Sequence, residues 1–267
     1  MVDEATEYCF QLASEYWPGL PREEFDACSA VGAEAAVLLE AEWQDVTGPD
    51  FDWQDMSAAA QIPPAAVRAF YERCFGLIFE LMRGIGPPDE MWAGDHRANI
   101  VHQYMTHLTA HGPVLDYGGG IGQQSMFLAA RGWTVGFADL GETAAFARWR
   151  FERANLLALP DGWRGGTIRA FPPSVALRHQ GWGSLLALDV VEHIPDPIGL
   201  LRRFDSCLAP DGVLYLTRHS FRPYPTHLPE SAPLMETLDD VLASMGYRRA
   251  IEPDGHFGIG AWRKVAA

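Results

Sequence analysis

The chain has 267 residues, of which 48% are hydrophobic, and a formal net charge of -15. That composition excludes a disordered chain, and the charge argues against a nucleic-acid partner, which would need a basic stripe to meet phosphates. The length allows a substantial core, as one large domain or one domain of ordinary size with an added lobe.

Residues 1–50 read as helical and irregularly amphipathic. Ala30 to Trp43 is rich in Ala, Leu and Glu, with Val31, Ala35, Leu38 and Leu39 near one face. Basic residues are sparse here: five up to Arg97, all Arg, which marks a solvated acidic face. After Pro63-Pro64 a second helix is predicted from Ala65 to about Arg83, with Val67, Phe70, Tyr71, Phe75, Ile78 and Met82 at helical spacing, ended by Gly84 to Pro88. A third is predicted from His96 to His111, closed by Gly112-Pro113. Tyr71 and Tyr104 read as core or lobe-interface residues.

Beyond this the pattern alternates. Val114-Leu115-Asp116 reads as a strand leading into the turn Tyr117 to Gly122. A helix follows from Gln123 to Ala130, then a strand Thr134–Ala138 ending at Asp139. Further along, a helix Glu142–Ala154, a strand Thr167–Phe171, a buried strand Leu185–Asp189 and a helix Pro197–Leu208 are predicted. A strand Val213–Thr217, a helix Met235–Met245 and closing strands Tyr247–Ile251 and Phe257–Trp262 complete the order. Such alternation predicts a mainly parallel sheet covered on both faces.

Cys9, Cys28, Cys74 and Cys207 are scattered, without ligand-like spacing, and read as free thiols in a reducing compartment. The histidine spacing gives no metal motif either, so no metal is expected. With polar, acidic first residues and no apolar run able to span a bilayer, a cytoplasmic protein without a membrane partner is expected.

Glycines 118, 120 and 122 let the backbone turn sharply and approach a ligand where a Cβ would collide. The dinucleotide pattern G-x-G-x-x-G fails, because Gln123 or Ser125 falls at the third glycine position. Asp116, at the ligand end of the first strand, would repel a pyrophosphate and suits a cationic amine or sulfonium. Asp139 closes the second strand, where a carboxylate can accept from both ribose hydroxyls.

The run Asp116-Tyr117-Gly118-Gly119-Gly120-Ile121-Gly122 resembles the first motif of the class I S-adenosylmethionine-dependent methyltransferases. Asp139 falls where that family keeps its ribose-binding acid. Leu188 to Pro197, with its Glu192-His193 pair, resembles the segment after strand 4, and Leu208 to Leu216 resembles the turn and strand 5. The resemblance covers about residues 112–262 in order. It implies an α/β, Rossmann-like seven-stranded sheet with helices on both faces and an antiparallel last strand. Residues 112–267 would be the S-adenosylmethionine-binding catalytic domain, and residues 1–111 an N-terminal all-helical lobe acting as lid or dimerisation element. The cofactor contacts implied are Asp116, Gly118, Gly119, Gly120, Gln123, Asp139, Leu140, Phe171, Asp189 and Val190. Phe171 enters because the family's acid after strand 3 is replaced by Arg169-Ala170-Phe171.

The implied activity is methyl transfer from S-adenosyl-L-methionine to an oxygen or nitrogen of a small molecule. The alternatives are another sulfonium-based transfer, such as aminocarboxypropyl transfer, and a non-catalytic methyltransferase-like binding protein. His193, His219 and His96 are the candidate bases, since they fall at carboxyl strand ends or in a segment able to fold over the cofactor. Each also has a plain structural reading: His193 packing a helix start, His219 in a surface loop, His96 in a helix start capped by Asp95. Arg218 reads as a salt-bridge residue. The aromatic, proline-rich stretch from His219 to Pro233 reads as a wall of the acceptor site.

Overall fold

The computed structural model describes residues 4–28, 33–50, 52, 62–74, 76–82, 96–108, 112–158, 164–218, 224–253 and 258–265. Among the described residues six helices come first: α1 (Glu4–Tyr16), α2 (Arg22–Cys28), α3 (Ala33–Thr47), α4 (Pro64–Arg73), α5 (Gly76–Met82) and α6 (His96–Leu108). Then follow β1 (Val114–Tyr117), α7 (Gln123–Ala130), β2 (Thr134–Ala138), α8 (Gly141–Arg153), β3 (Thr167–Phe171), the single turn α9 (Pro173–Ala176) and β4 (Trp182–Ala187). The chain closes with α10 (Pro197–Cys207), β5 (Leu208–Thr217), α11 (Ala232–Ser244), β6 (Tyr247–Ile251) and β7 (Ile259–Lys264). No described helix is long and apolar enough to cross a membrane.

The seven strands form one sheet in the order β3-β2-β1-β4-β5-β7-β6. Strands β1 to β5 pair in parallel, while β7 runs antiparallel to both β5 and β6. The fold class expected from the sequence is therefore observed, with the antiparallel last strand inserted between β5 and β6. The strand order reverses between β1 and β4, and a crevice opens at the carboxyl ends of neighbouring strands at such a reversal.

Alternation along the strands fills both faces. Leu115, Leu185 and Leu214 meet Leu200, Leu201 and Phe204 of α10 and Leu238 of α11 on one face. Val114, Leu186, Val213 and Tyr215 meet Val101 and Met105 of α6, Leu128 of α7 and Phe151 of α8 on the other. Two further clusters anchor the N-terminal helices. Leu12, Phe25, Ile78 and Phe79 pack on Ile121 and Phe146, while Trp43, Val67 and Phe70 pack on Leu228.

Several boundaries differ from the predicted ones. The helix expected over Ala65–Arg83 is two, α4 and α5, broken at Cys74. Glu42 of α3 causes the break from a distance: its Oε1 accepts the Gly76 N–H at 2.8 Å and its Oε2 accepts the Cys74 thiol at 3.0 Å. A carboxylate at the second helix's first turn meets otherwise unpaired amides and favours a fresh start. The strand expected at Leu185–Asp189 begins at Trp182 and ends at Ala187. The Gly183 N–H donates to Pro113 O at 2.9 Å and Ser184 pairs with Val114, so β1 recruits residues that the apolar run alone does not mark. Strand β5 starts at Leu208, opposite Trp182, five residues before the predicted start. Helix α10 begins where the Asp-Pro pair predicts: Asp196 Oδ1 accepts the Gly199 N–H at 2.8 Å.

Candidate cofactor and acceptor site

The turn after β1 is shaped by what lies against it. Gly118 and Gly120 have φ of +66° and +56°, a region that side chains rarely enter. A Cβ on Gly118 would lie 2.6 Å from Cγ2 of Val190, and one on Gly120 would lie 2.9 Å from Cδ1 of Leu81. The first contact brings the residue after β4 onto the turn. The second brings helix α5 over it. Nearby, the backbone of Glu72 in α4 packs directly against Gly141, just beyond Asp139 and Leu140. The N-terminal helices thus cover the crevice at two points flanking Asp139.

Asp116 is buried beneath this turn. Its Oδ2 accepts the Ser125 hydroxyl at 2.7 Å and lies so close under Gly119 that a side chain there would collide with it. Asp139 spans the gap from β2. Its Oδ2 accepts the Gly120 N–H and its Oδ1 the Leu140 N–H, both at 2.6 Å. Asp139 keeps some accessible surface but is ringed by protein. Burial pushes its carboxyl up to about 7; the Leu140 and Gly120 amides oppose this, and the Asp116 charge adds to it.

Gln123 opens α7, and its Oε1 accepts Nη2 of Arg150 at 2.9 Å. Nη1 of Arg150 donates to Ile121 O at 2.6 Å, so one buried guanidinium holds the turn and the helix start together. Burial lowers the Arg150 pKa to about 10, which leaves it charged at neutral pH. The Gln123 side-chain nitrogen is buried and has no hydrogen-bond partner among the described residues.

The remaining predicted residues sit as follows. Val190 is buried against Gly118, while Asp189 is exposed in the left-handed region at φ +52°, its N–H donating to Thr217 Oγ1 at 2.7 Å. Phe171 is half-buried, its ring edge-on to Trp182 at 6.0 Å and stacked on His179 at 6.4 Å. Ala138 pairs with Phe171, so Phe171 ends β3 beside Asp139. Of His96 only the backbone at the start of α6 is described, and His219, Asp95 and Trp92 lie outside the described residues. Arg218 forms the expected ion pair, with Asp239 at 2.6 Å.

His193 ends a 3-10 turn, Val191–His193, after β4. Its Nδ1 lies 2.6 Å from the Thr226 carbonyl. A carbonyl only accepts, so Nδ1 carries a proton, and in the neutral ring the lone pair is on Nε2. The Tyr71 hydroxyl donates to the same carbonyl at 3.2 Å, and its ring meets that of His193 edge-on at 6.1 Å. Tyr71 is thus an interface residue, as its helical spacing suggests, and it also borders the candidate base. The segment after β5 folds back here: the Leu228 N–H donates to Glu192 O at 2.8 Å.

Sequence reasoning misses Ser125, Arg150, Thr217 and Thr226. Only Ser125 carries a signal, standing where a dinucleotide motif has its third glycine. A separate cavity of about 320 Å³ shares no residue with this crevice and is bounded by Asp239, whose carboxylate is taken up by Arg218, Arg249 and Trp262.

The geometry fits a nucleoside bearing an amino-acid tail. The Asp139 oxygens each keep a lone pair for a hydroxyl, the bare backbone admits close approach, and the Gln123 amide suits a carboxylate. A family profile described as a methyltransferase domain matches residues 95–247. No curated protein matches in sequence. Among solved structures, magnesium protoporphyrin IX methyltransferase from Synechocystis PCC 6803 with bound SAH is 16% identical, covers 76% of this chain and 100% of its own, and has a TM-score of 0.53. Its form with bound SAM is 18% identical over 82% of this chain and 100% of its own, with a TM-score of 0.51. A Nostoc punctiforme PCC 73102 protein provisionally assigned as an O-methyltransferase is 11% identical over 86% of this chain and 72% of its own, with a TM-score of 0.57. At these identities the likeness is one of fold, and the profile match over more than half the chain supplies the family: this protein belongs to the class I S-adenosylmethionine-dependent methyltransferases.

Proposed function

We propose that the protein transfers a methyl group from S-adenosyl-L-methionine to an oxygen or nitrogen of a small molecule. The observation that carries this reading is the joint placement of Asp139, the Gly118–Gly120 backbone and the Gln123 amide nitrogen, which has no partner among the described residues, at the strand-order reversal. Asp139 would hold the ribose hydroxyls, Gln123 and the turn amides the carboxylate of the amino-acid tail, and Val190 would wall the sulfur side. When bound, the cofactor supplies an activated methyl group on a sulfonium.

The chain's own task is then to align the acceptor and manage its proton. His193 is the group to do so: Thr226 fixes its tautomer, leaving Nε2 to take a proton from an acceptor hydroxyl or ammonium. His219, two residues beyond β5, is the second candidate, and His96 at the start of α6 the third. Tyr71, Leu81 and Glu72 belong to a lobe that closes over this edge and limits acceptor size, which favours a small molecule.

The test pairs calorimetry with product mass. S-adenosylhomocysteine should bind the full chain with one site and NAD should not. Incubation with labelled S-adenosylmethionine and a library of phenols, hydroxy acids and amines should give products heavier by one methyl group. Binding of NAD in place of S-adenosylhomocysteine would overturn the cofactor assignment. An aminocarboxypropyl adduct would overturn methyl transfer. His193→Gln should lower kcat with little change in S-adenosylhomocysteine affinity, and unchanged kcat would move the base to His219 or His96.

A further inference from the structure

We propose that Glu192, His193 and His227 form a binding site for one divalent transition-metal ion, of the zinc class, on the acceptor side of the crevice. The sequence spacing, with two ligands adjacent and the third 34 positions on from His193, shows no ligand motif; only the fold brings the three together. One ligand atom from each residue lies within 4.8 Å of those of the other two.

Three features make this a built site rather than a chance meeting. The two segments that carry the ligands are stitched to each other: the Leu228 N–H donates to Glu192 O at 2.8 Å, and the Ser231 hydroxyl reaches the same carbonyl at 3.3 Å. The His193 tautomer is set by its Nδ1–H bond to Thr226 O, which leaves Nε2 as the ring's ligand atom. Imidazoles that ligate metals commonly donate their other N–H to a backbone carbonyl in this way. The His193 and His227 rings stand 5.1 Å apart and tilted by 57°, so the two are not stacked face to face.

The donor set chooses the ion. Two imidazoles and one carboxylate suit Zn²⁺ or Co²⁺ and are poor for Mg²⁺ or Ca²⁺, which want oxygen ligands. The Glu192 side chain is wholly buried beside two imidazoles. Three protein ligands leave a fourth tetrahedral position open, the arrangement of a metal that binds a reactant oxygen.

The role of the ion, unlike its binding, rests on the methyl-transfer reading. An acceptor hydroxyl would take the open position: its oxygen–metal bond forms, its O–H bond breaks, and the proton leaves to water. That oxygen is then the nucleophile, which assigns oxygen rather than nitrogen acceptors. The role of His193 as direct base therefore applies to the ion-free protein; with the ion in place its Nε2 is a ligand, and it promotes loss of the acceptor proton through the metal.

The test is titration of chelator-treated full chain with Co²⁺ and Zn²⁺ alone, followed by calorimetry and by the visible absorption of bound Co²⁺. One ion per chain is expected, with tetrahedral Co²⁺ bands that Zn²⁺ abolishes. His227→Gln and Glu192→Gln should each weaken binding by about 100-fold or more, while S-adenosylhomocysteine affinity, read on the same samples, reports that they are folded. No binding by the wild-type chain, or binding that both variants retain, would overturn the site. Metal binding without methyl transfer would leave the site standing and remove its catalytic role; methyl transfer unaffected by chelation would do the same.

Discussion

The Asp139 carboxylate bridges from the end of β2 to the Gly120 amide at 2.6 Å, so the second strand clamps the turn that follows the first. The same carboxylate is pushed up to about 7, chiefly by burial. Ribose hydroxyls donate best to an ionised acceptor, so S-adenosylhomocysteine should bind more tightly as pH rises from 6 to 7 and level off above. The gain should approach about tenfold per pH unit below 7, with proton release on binding. The sign for the ligand-free fold is opposite. A carboxylate whose folded pKa is raised has its stabilising effect at low pH and loses it as pH climbs from its unfolded value, about 4, towards 7. Calorimetry in buffers of differing ionisation heat, and melts across the same range, check both slopes. Asp139→Asn should flatten both.

Arg150 ties Ile121 and Gln123 together from within α8. Replacing it with Met should destabilise the fold by about 2–4 kcal/mol and weaken cofactor binding, because a buried carbonyl and a side-chain amide oxygen lose their donor. Lys should not rescue it, since one ammonium on a flexible stem cannot reproduce the two bonds of a planar guanidinium. Denaturant unfolding of the wild type, Arg150→Met and Arg150→Lys decides this, with restoration by Lys counting against the fork.

Ser125 donates to the buried Asp116 carboxylate. Ser125→Ala should cost about 1–3 kcal/mol, the penalty for removing a donor from a buried charged acceptor. A shift smaller than about 0.5 kcal/mol in the unfolding midpoint energy would show that the remaining contacts of Asp116 suffice.

Leu81 is exposed on its outer side yet lies over Gly120. Leu81→Ala should change stability by no more than about 0.5 kcal/mol, as surface substitutions do. It should nevertheless speed release of S-adenosylhomocysteine several-fold in stopped flow, because a cover over the turn is thinned. Unchanged release would confine the N-terminal helices to a packing role.

Much of the cofactor side was legible in the chain because it is local. From Val114 to Asp139 the strand, turn, helix, strand and acid follow one another, and glycines at fixed offsets announce a backbone that must turn and be approached. Strand β3 matches its predicted span, Thr167–Phe171. Contacts between distant segments were not legible for the opposite reason. Tyr71 and Thr226 are 155 positions apart, Arg150 and Ile121 are 29 apart, and Glu42 splits a predicted helix from 34 positions away.

The class of fold, the strand that carries the glycine turn and the acid that closes the next one can be read from the chain alone, since periodicity and glycine placement act within a few residues of each other. Long-range packing alone places Asp116 beneath the turn, lays helices α4 and α5 across the crevice, and brings ligand atoms of Glu192, His193 and His227 within 4.8 Å of one another. Those relations arise from packing of distant segments, whose energies depend on complementary shape and on burial, and neither is written in any single stretch of chain.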